Sequence, residues 1–212
     1  IGDFNSKEFP IPTLLEEKII EAYKNGYTTY PSAEGELVLR EAVADFLKRS
    51  LDLAYEPDEI LISAGGRPLI YAAYRCIVDA GDKVIYPVPS WNNNHYAQFT
   101  GAEHVIIEAT KENNFLPTAE QIKPHIQGAT ILALCSPLNP TGTTFEKEEL
   151  EKICDLVLEE NAQRGTDEKK LYLLYDQIYW TLTYGETVHY NPVSLRPAMK
   201  AYFVFIDGIS QA

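Results

Sequence analysis

Basic residues are scarce: 18 Lys plus Arg stand against 31 acidic residues, a formal charge of -13. Such a surface repels phosphate backbones, so nucleic acid is excluded as an expected partner. No apolar run reaches the ~20 residues that span a bilayer, and the opening Ile1-Gly2-Asp3-Phe4 has no basic stretch leading into an apolar one, so no membrane partner is expected. Cysteine is sparse too. Cys76, Cys135 and Cys154 are an odd number in well-separated apolar contexts, which excludes a disulfide scaffold and reads as reduced core thiols of a cytoplasmic protein. The chain has no G-x-G-x-x-G, no P-loop and no H-E-x-x-H, so the dinucleotide and phosphate-loop fingerprints are missing and no metal site is expected. What is present is 45% hydrophobic residues over 212 positions, enough to bury about 70% of the extended surface in one large domain, or one plus part of a second.

Helical and extended patterns alternate. Residues 13–25 open on Thr13-x-x-Glu16, a capping-box pattern, and stop at Gly26. Residues 36–50 place Leu39, Val43, Phe46, Leu47 and Ser50 on one stripe, with Arg40, Glu41 and Asp45 away from it. Residues 60–63 read as a short buried strand broken by Gly65-Gly66. The helix that follows, with Pro68 in its first turn, carries Leu69, Ala73, Cys76 and Ile77 inward. Extended runs are expected at 83–88, 104–109, 130–135, 171–175 and 202–206, and a helix at 146–160 behind Thr143-x-x-Glu146. Residues 161–170 are polar and read as a surface loop. Strands apolar on consecutive residues are buried on both faces, so the expected class is α/β, a mostly parallel sheet sandwiched by helices. Ligands of such sheets gather beyond the carboxyl ends of the strands.

Those ends carry a set of chemistry-bearing residues. Gly65-Gly66-Arg67 opens a helix, where two glycines and free N–H groups suit an anion, although taken alone the residues favour a plain tight turn. Trp91, with Asn92, Asn93, Asn94 and His95 behind it, suits stacking on a flat ring or plugging a core edge. Asn139-Pro140-Thr141-Gly142 is a rigid connection that presents an amide. Asp176 ends an apolar run, where a carboxylate needs a cationic partner, and Tyr179 is near enough to share its pocket.

In this order and spacing the chain resembles the large-domain portion of a class I/II aminotransferase, a pyridoxal-phosphate enzyme of fold type I. The matching stretches are Tyr30-Pro31, Gly35, Leu39-Arg40-Glu41, Gly65-Gly66-Arg67, Gly81-Asp82-Lys83-Val84, Pro89-Ser90-Trp91, Asn139-Pro140-Thr141-Gly142 and Asp176-Gln177-Ile178-Tyr179. The resemblance implies a PLP-binding large domain over 30–212, lacking a C-terminal small domain, and an N-terminal segment and helix over 1–29 that goes with the small domain. It implies pyridoxal 5'-phosphate as cofactor, with its phosphate on Gly65, Gly66 and Arg67 and its ring against Trp91. Asn139 and Tyr179 would meet the ring hydroxyl oxygen, Asp176 the pyridinium nitrogen, Gly208 would line the site, and Tyr30 would reach across a homodimer. Gly2, Trp91 and Asn139 would approach the substrate. The implied function is amino transfer between an L-amino acid, aspartate favoured, and a 2-oxo acid, with Asp176 and Tyr179 in the catalytic set.

One residue departs from the family. Its Schiff-base lysine follows a Ser in a segment like Asp207-Gly208-Ile209-Ser210, and here Gln211 stands next. An amide offers no nucleophilic amine, so the chain as given is expected to be inactive. Lys200 precedes the strand and sits at its wrong end. A replaced lysine, a non-catalytic relative or interaction module of the same fold, and an altered sequence near the end are the alternatives. The chain begins without Met and stops directly after an apolar run, as a piece cut at both ends would. A nucleophile elbow at residues 208–212 is a further reading, but all four histidines precede Ser210, the reverse of hydrolase order.

Overall fold

The computed structural model describes residues 5–208. Strands β1 (Lys83–Val88), β2 (Glu103–Glu108), β3 (Ala129–Cys135), β4 (Tyr172–Asp176) and β5 (Phe203–Ile206) form a sheet of order β2-β1-β3-β4-β5, every neighbouring pair parallel. Helices α1 (Thr13–Lys24), α2 (Leu37–Leu51), α3 (Gly66–Ile77), α4 (Asn93–Thr100), α5 (Ala119–Ile122), α6 (Lys147–Gln163) and α7 (Pro192–Leu195) precede, connect or flank the strands. This is the expected α/β class.

β3 is buried at every residue, as its run of consecutive apolar side chains demands of a central parallel strand. The period of two then divides the core. Val84 and Tyr86 of β1 pack with Ile70 and Tyr74 of α3 and with Tyr96 and Ala97 of α4. Ile85 turns the other way, into a cluster with Ile122 of α5 and Leu150, Ile153 and Val157 of α6. In β4, Leu174 joins the α3/α4 side and Leu173 and Tyr175 the α6 side. Asp176, two residues beyond Leu174, therefore emerges on the α3/α4 face. From β1 the sheet grows to β2 on one side and to β3, β4 and β5 on the other, so the order reverses between β1 and β3. The crevice beyond their carboxyl ends is where a ligand site belongs.

Several local expectations are corrected. Neither capping box forms: α1 starts from Pro12 and α6 from Glu146, both without a side-chain cap, and the Thr143 hydroxyl pairs with that of Thr141 at 2.8 Å. Residues 60–63 are not a strand. Ile62 donates its N–H to the Glu34 carbonyl at 3.0 Å, and no strand of the described sheet pairs with this segment. In α2 Leu47 is buried but Leu39 and Phe46 are exposed, while Arg40, expected outside, is buried, because its guanidinium bonds the carbonyls of Gly35 and Pro57. Cys76 lies on the exposed side of α3, whereas Cys135 and Cys154 are buried; all three are free thiols. The polar stretch at 161–170 begins inside α6, and buried Asn161 exchanges two 2.8 Å hydrogen bonds with Leu171.

Candidate functional site

The crevice at the reversal point is lined by Trp91 and Asn93 after β1, Ala133, Leu134 and Cys135 of β3, Leu174 and Asp176 of β4, and Ile70 of α3. Trp91 and Asp176, the platform and the carboxylate, thus share one cleft. Register explains the neighbour that sequence reasoning missed: Cys135 pairs with Asp176 across β3 and β4, and its thiol donates to the Pro137 carbonyl at 3.2 Å. Burial pushes that thiol's pKa up, so it stays protonated beside the carboxylate.

Asp176 carries the electrostatics. Burial raises its pKa from 3.8 to about 6; the Ile178 N–H, donating to Oδ1 at 3.2 Å, works against this, and nearby Asp207 adds to it. The expected cation is missing, since no basic side chain forms an ion pair with Asp176 among the described residues. A partly buried carboxylate with its pKa raised is suited to a cationic or proton-sharing partner.

Around it the sequence-singled residues form three contacts. Arg67, at the start of α3, places its guanidinium carbon 5.6 Å from the centroid of Trp91. Asn139 donates from Nδ2 to the Tyr179 hydroxyl at 3.1 Å, joining the loop after β3 to the loop after β4. Gly66 and Gly208 flank one side chain: a Cβ on Gly208 would lie 3.3 Å from Ile178 Cδ1, and one on Gly66 3.8 Å from the same atom. Gly65 caps α3 at φ 109° and ψ 165°, and no side chain caps the helix, so its first-turn N–H groups keep their donor capacity. An uncapped, glycine-led helix start leaves N–H donors free for an acceptor, and Arg67, next to it in the chain, meets Trp91 of the cleft.

Other expected members are not gathered in. Tyr30, expected to act across a homodimer and not in its own cleft, is fully exposed. Gly2 and Gln211 lie outside the described residues, as does Ser210. Lys200 is confirmed at the wrong end, bonding the Ala54 carbonyl at 3.0 Å and Glu59 at 2.8 Å in the segment before β5. Asn93 and Ile178 were passed over as single residues; Asn93 stood in the amide run behind Trp91, and only the backbone N–H of Ile178 identifies it. Among the described residues no group of three or more His, Cys, Asp or Glu is placed to hold a metal ion, and no helix is long and apolar enough to cross a membrane.

Comparison with known proteins agrees with this geometry. A family profile described as aminotransferase class I and II matches residues 2–207. The aspartate aminotransferase of Bacillus sp. is 32% identical over 207 residues, covering 97% of this chain and 50% of the relative. A probable aspartate/prephenate aminotransferase of Rickettsia felis is 33% identical over 208 residues, covering 97% and 49%. Among solved structures, an aromatic aminotransferase from Pyrococcus horikoshii superposes with a TM-score of 0.88 at 26% identity, covering 100% of this chain and 54% of that one. The Thermus thermophilus aspartate aminotransferase with maleate reaches 0.84 at 30% identity, covering 93% and 49%. The chain spans about half the length of the curated relatives it matches. These relatives are all named for amino transfer, so the reading as a non-catalytic relative gains no support from them. With a profile matched along nearly its whole length and a fold shared with these enzymes, the chain belongs to the class I and II aminotransferase family.

Proposed function

We propose that this chain is the cofactor-holding part of a pyridoxal-phosphate-dependent aminotransferase that moves an amino group between an L-amino acid and a 2-oxo acid. One observation carries the reading: Asp176, partly buried with its proton affinity raised and no basic partner among the described residues, shares a cleft with Trp91. A protonated ring nitrogen is the partner such a carboxylate lacks, and an indole is a platform for a flat ring.

When bound, pyridoxal phosphate supplies a carbonyl carbon that takes up the amino group and an electron-withdrawing ring. The chain's own residues orient and protonate. The N–H groups of Gly66 and Arg67 would receive the phosphate, with Gly65 and Gly208 keeping the backbone close. Trp91 would stack, Asn139 and Tyr179 would bond the ring hydroxyl oxygen, and Asp176 would hold a proton at the ring nitrogen. Trp91, Asn139 and Gly2 would border the substrate. Gln211, in the lysine's place, has no amine to bond the cofactor covalently, so this chain is proposed to hold it by non-covalent contacts alone.

Aspartate as donor is supported by the names of the relatives and by a structural neighbour solved with maleate, a dicarboxylate. A division at residues 1–29, with this segment serving the remainder of the enzyme, is supported by α1, which buries none of its residues here. A homodimer with Tyr30 reaching the neighbouring site is supported by that side chain's full exposure. Cytoplasmic location is supported by the three free thiols.

Pyridoxamine 5'-phosphate tests the reading. Its amine cannot form imines with surface lysines, so binding reports the cleft alone. Titrating the chain while following tryptophan fluorescence should give saturable binding at one site, lost in Asp176→Asn. Equal binding by wild type, Asp176→Asn and Trp91→Ala would refute it.

A further inference from the structure

On the α6 side of the sheet, behind Asp176, the loops that follow β4 and β5 are tied by side-chain hydrogen bonds whose direction is fixed at each step. Asn191 accepts the Val193 N–H on Oδ1 at 2.8 Å, so its Nδ2 is the donor to Gln177 Oε1, also at 2.8 Å. Fully buried Gln177 then turns Nε2 to Asp207 and donates to Oδ2 at 3.1 Å. Trp180 Nε1 donates to the same oxygen at 2.9 Å, and the Gly208 N–H donates to Oδ1 at 2.7 Å. His189 approaches Gln177 Oε1 at 3.4 Å, which calls for its Nε2–H tautomer, and burial holds the ring neutral by lowering its pKa to about 4. Its Nδ1 is buried without a partner among the described residues. Asp207 thus sits in a three-donor socket formed by Gln177, Trp180 and the Gly208 N–H.

The same short segment links socket to cleft. The Gln177 backbone N–H donates to the Ile206 carbonyl at 3.0 Å, and the Ile178 N–H to Asp176 Oδ1 at 3.2 Å. Ile178 is in turn the side chain wedged between Gly208 and Gly66, the latter already 3.2 Å from Ile206 Cγ2 at a built Cβ. These contacts would carry a shift of Asp207 to Gly208 and residues 177–178, and through them to the Asp176 carboxylate and the start of α3. Packed interiors transmit such shifts because they have no free volume to absorb them.

We propose that Asp207 is a positioning residue: through Gln177 and Trp180 it latches residues 177–191 onto the end of β5 and sets where Asp176 stands relative to the glycine-led start of α3. The inference rests on the cofactor reading above and adds to it a residue that touches no ligand.

The test is a double-mutant cycle on the 212-residue chain with Asp207→Asn, Trp180→Phe and the pair. Three quantities are read: amide exchange at Gly208 in the free protein, affinity for pyridoxamine 5'-phosphate by calorimetry, and the thermal midpoint. Leu150→Ala serves as a core control, a fully buried α6 side chain that neither lines the cleft nor bonds Asp207. Each single variant should speed Gly208 exchange and weaken the ligand by roughly tenfold, as expected for loss of a hydrogen bond to a charged group. The pair should be no worse than the stronger single, because both act through one carboxylate. Unchanged Gly208 exchange, unchanged affinity, additive losses, or affinity losses that merely follow the thermal midpoint as in Leu150→Ala would each overturn the latch while leaving the cofactor reading intact. A wild-type chain that binds no pyridoxamine phosphate refutes the cofactor reading itself, and the latch's role in it falls with it.

Discussion

The guanidinium carbon of Arg67 lies 5.6 Å from the centre of the Trp91 ring. One residue begins α3 and the other follows β1, so this contact joins the proposed phosphate side of the cleft to its stacking side. At an exposed site a cation–π contact is worth about 0.5–1 kcal/mol, enough to bias the indole without locking it. Trp91 is still 48% exposed, which leaves ring surface for a ligand.

Truncating that ring should therefore cost binding more than folding. Trp91→Ala is expected to weaken pyridoxamine phosphate about tenfold, in keeping with an aromatic stacking contribution plus lost apolar area. Its unfolding free energy should fall by no more than ~1 kcal/mol, because a half-exposed side chain has little burial to lose. Arg67→Ala should weaken the ligand by a smaller factor, about threefold through the indole alone, and more if its N–H and charge both serve the phosphate. Calorimetry and urea denaturation of the two variants measure both quantities.

Asp176 should show the opposite balance. Its pKa is about 6 in the folded chain against 3.8 as a free side chain, so folding binds a proton between these values. The native state then holds more protons than the unfolded one, and stability falls as pH rises from about 4 to 6. Above pH 6 the ionised carboxylate costs about 3 kcal/mol in the ligand-free chain. Asp176→Asn is expected to be more stable than wild type at pH 7.5, to match it near pH 3.5, and to lose ligand affinity throughout. Denaturant midpoints across this pH range decide it. A constant offset between the two proteins would show that burial is not what perturbs the group.

The strand ends were legible because two independent signals coincide there. Consecutive apolar residues mark β3 and β4 as central strands, and a polar residue closing such a run, as Asp176 does, has few places to go but a site. Tertiary partners were not legible. Arg40 falls on the polar side of a helical wheel, yet two carbonyls, one just before α2 and one beyond it, draw it inside. Residues 60–63 have the composition of a strand, but pairing is a property of neighbours, and none of the described strands pairs with them. The two threonine capping patterns failed for different reasons: Thr13 is already inside α1, which starts from Pro12, and Thr143 satisfies its hydroxyl on Thr141. The socket around Asp207 was invisible because Gln177, Trp180 and Asn191 share no motif and meet only through the return of the chain after β4.

Buried Arg40 yields a prediction about that hidden class of contact. Its Nε and one terminal nitrogen bond the carbonyls of Gly35 and Pro57 at 3.1 and 2.8 Å. Its carboxylate neighbours Asp58 and Glu34 are 96% and 55% exposed, so the ion pairs add little. Arg40→Met keeps the apolar stem and strands two acceptors, which should cost about 2–3 kcal/mol. Arg40→Lys should recover only part, since an ammonium cannot serve both carbonyls with the reach of a planar fork. The loss should barely change between low and high salt. Strong salt dependence in the wild-type protein would instead assign the stabilisation to Asp58 and Glu34.

The two glycines at the start of α3 should respond to alanine in different ways. Gly65 combines φ 109° with ψ 165°, a conformation reserved almost entirely for glycine, yet a Cβ there would meet nothing within 4 Å. Its cost is backbone strain of about 1–3 kcal/mol, paid wherever the turn is held in this shape. Gly66 is helical, and the trouble is space: its Cβ would stand 3.2 Å from Ile206 Cγ2, between α3 and the end of β5. Gly66→Ala gains helix propensity and must push α3 away from β5 by a few tenths of an ångström, so its stability should change by less than ~1 kcal/mol. The displacement should appear in the cleft, as weaker pyridoxamine phosphate binding that Ile206→Ala, by removing Cγ2, restores in part. Gly65→Ala should not be rescued by Ile206→Ala, because a strained φ is not relieved by an emptied neighbour. Equal rescue of both alanine variants would mean that one packing defect, and not two separate causes, links these glycines to the site.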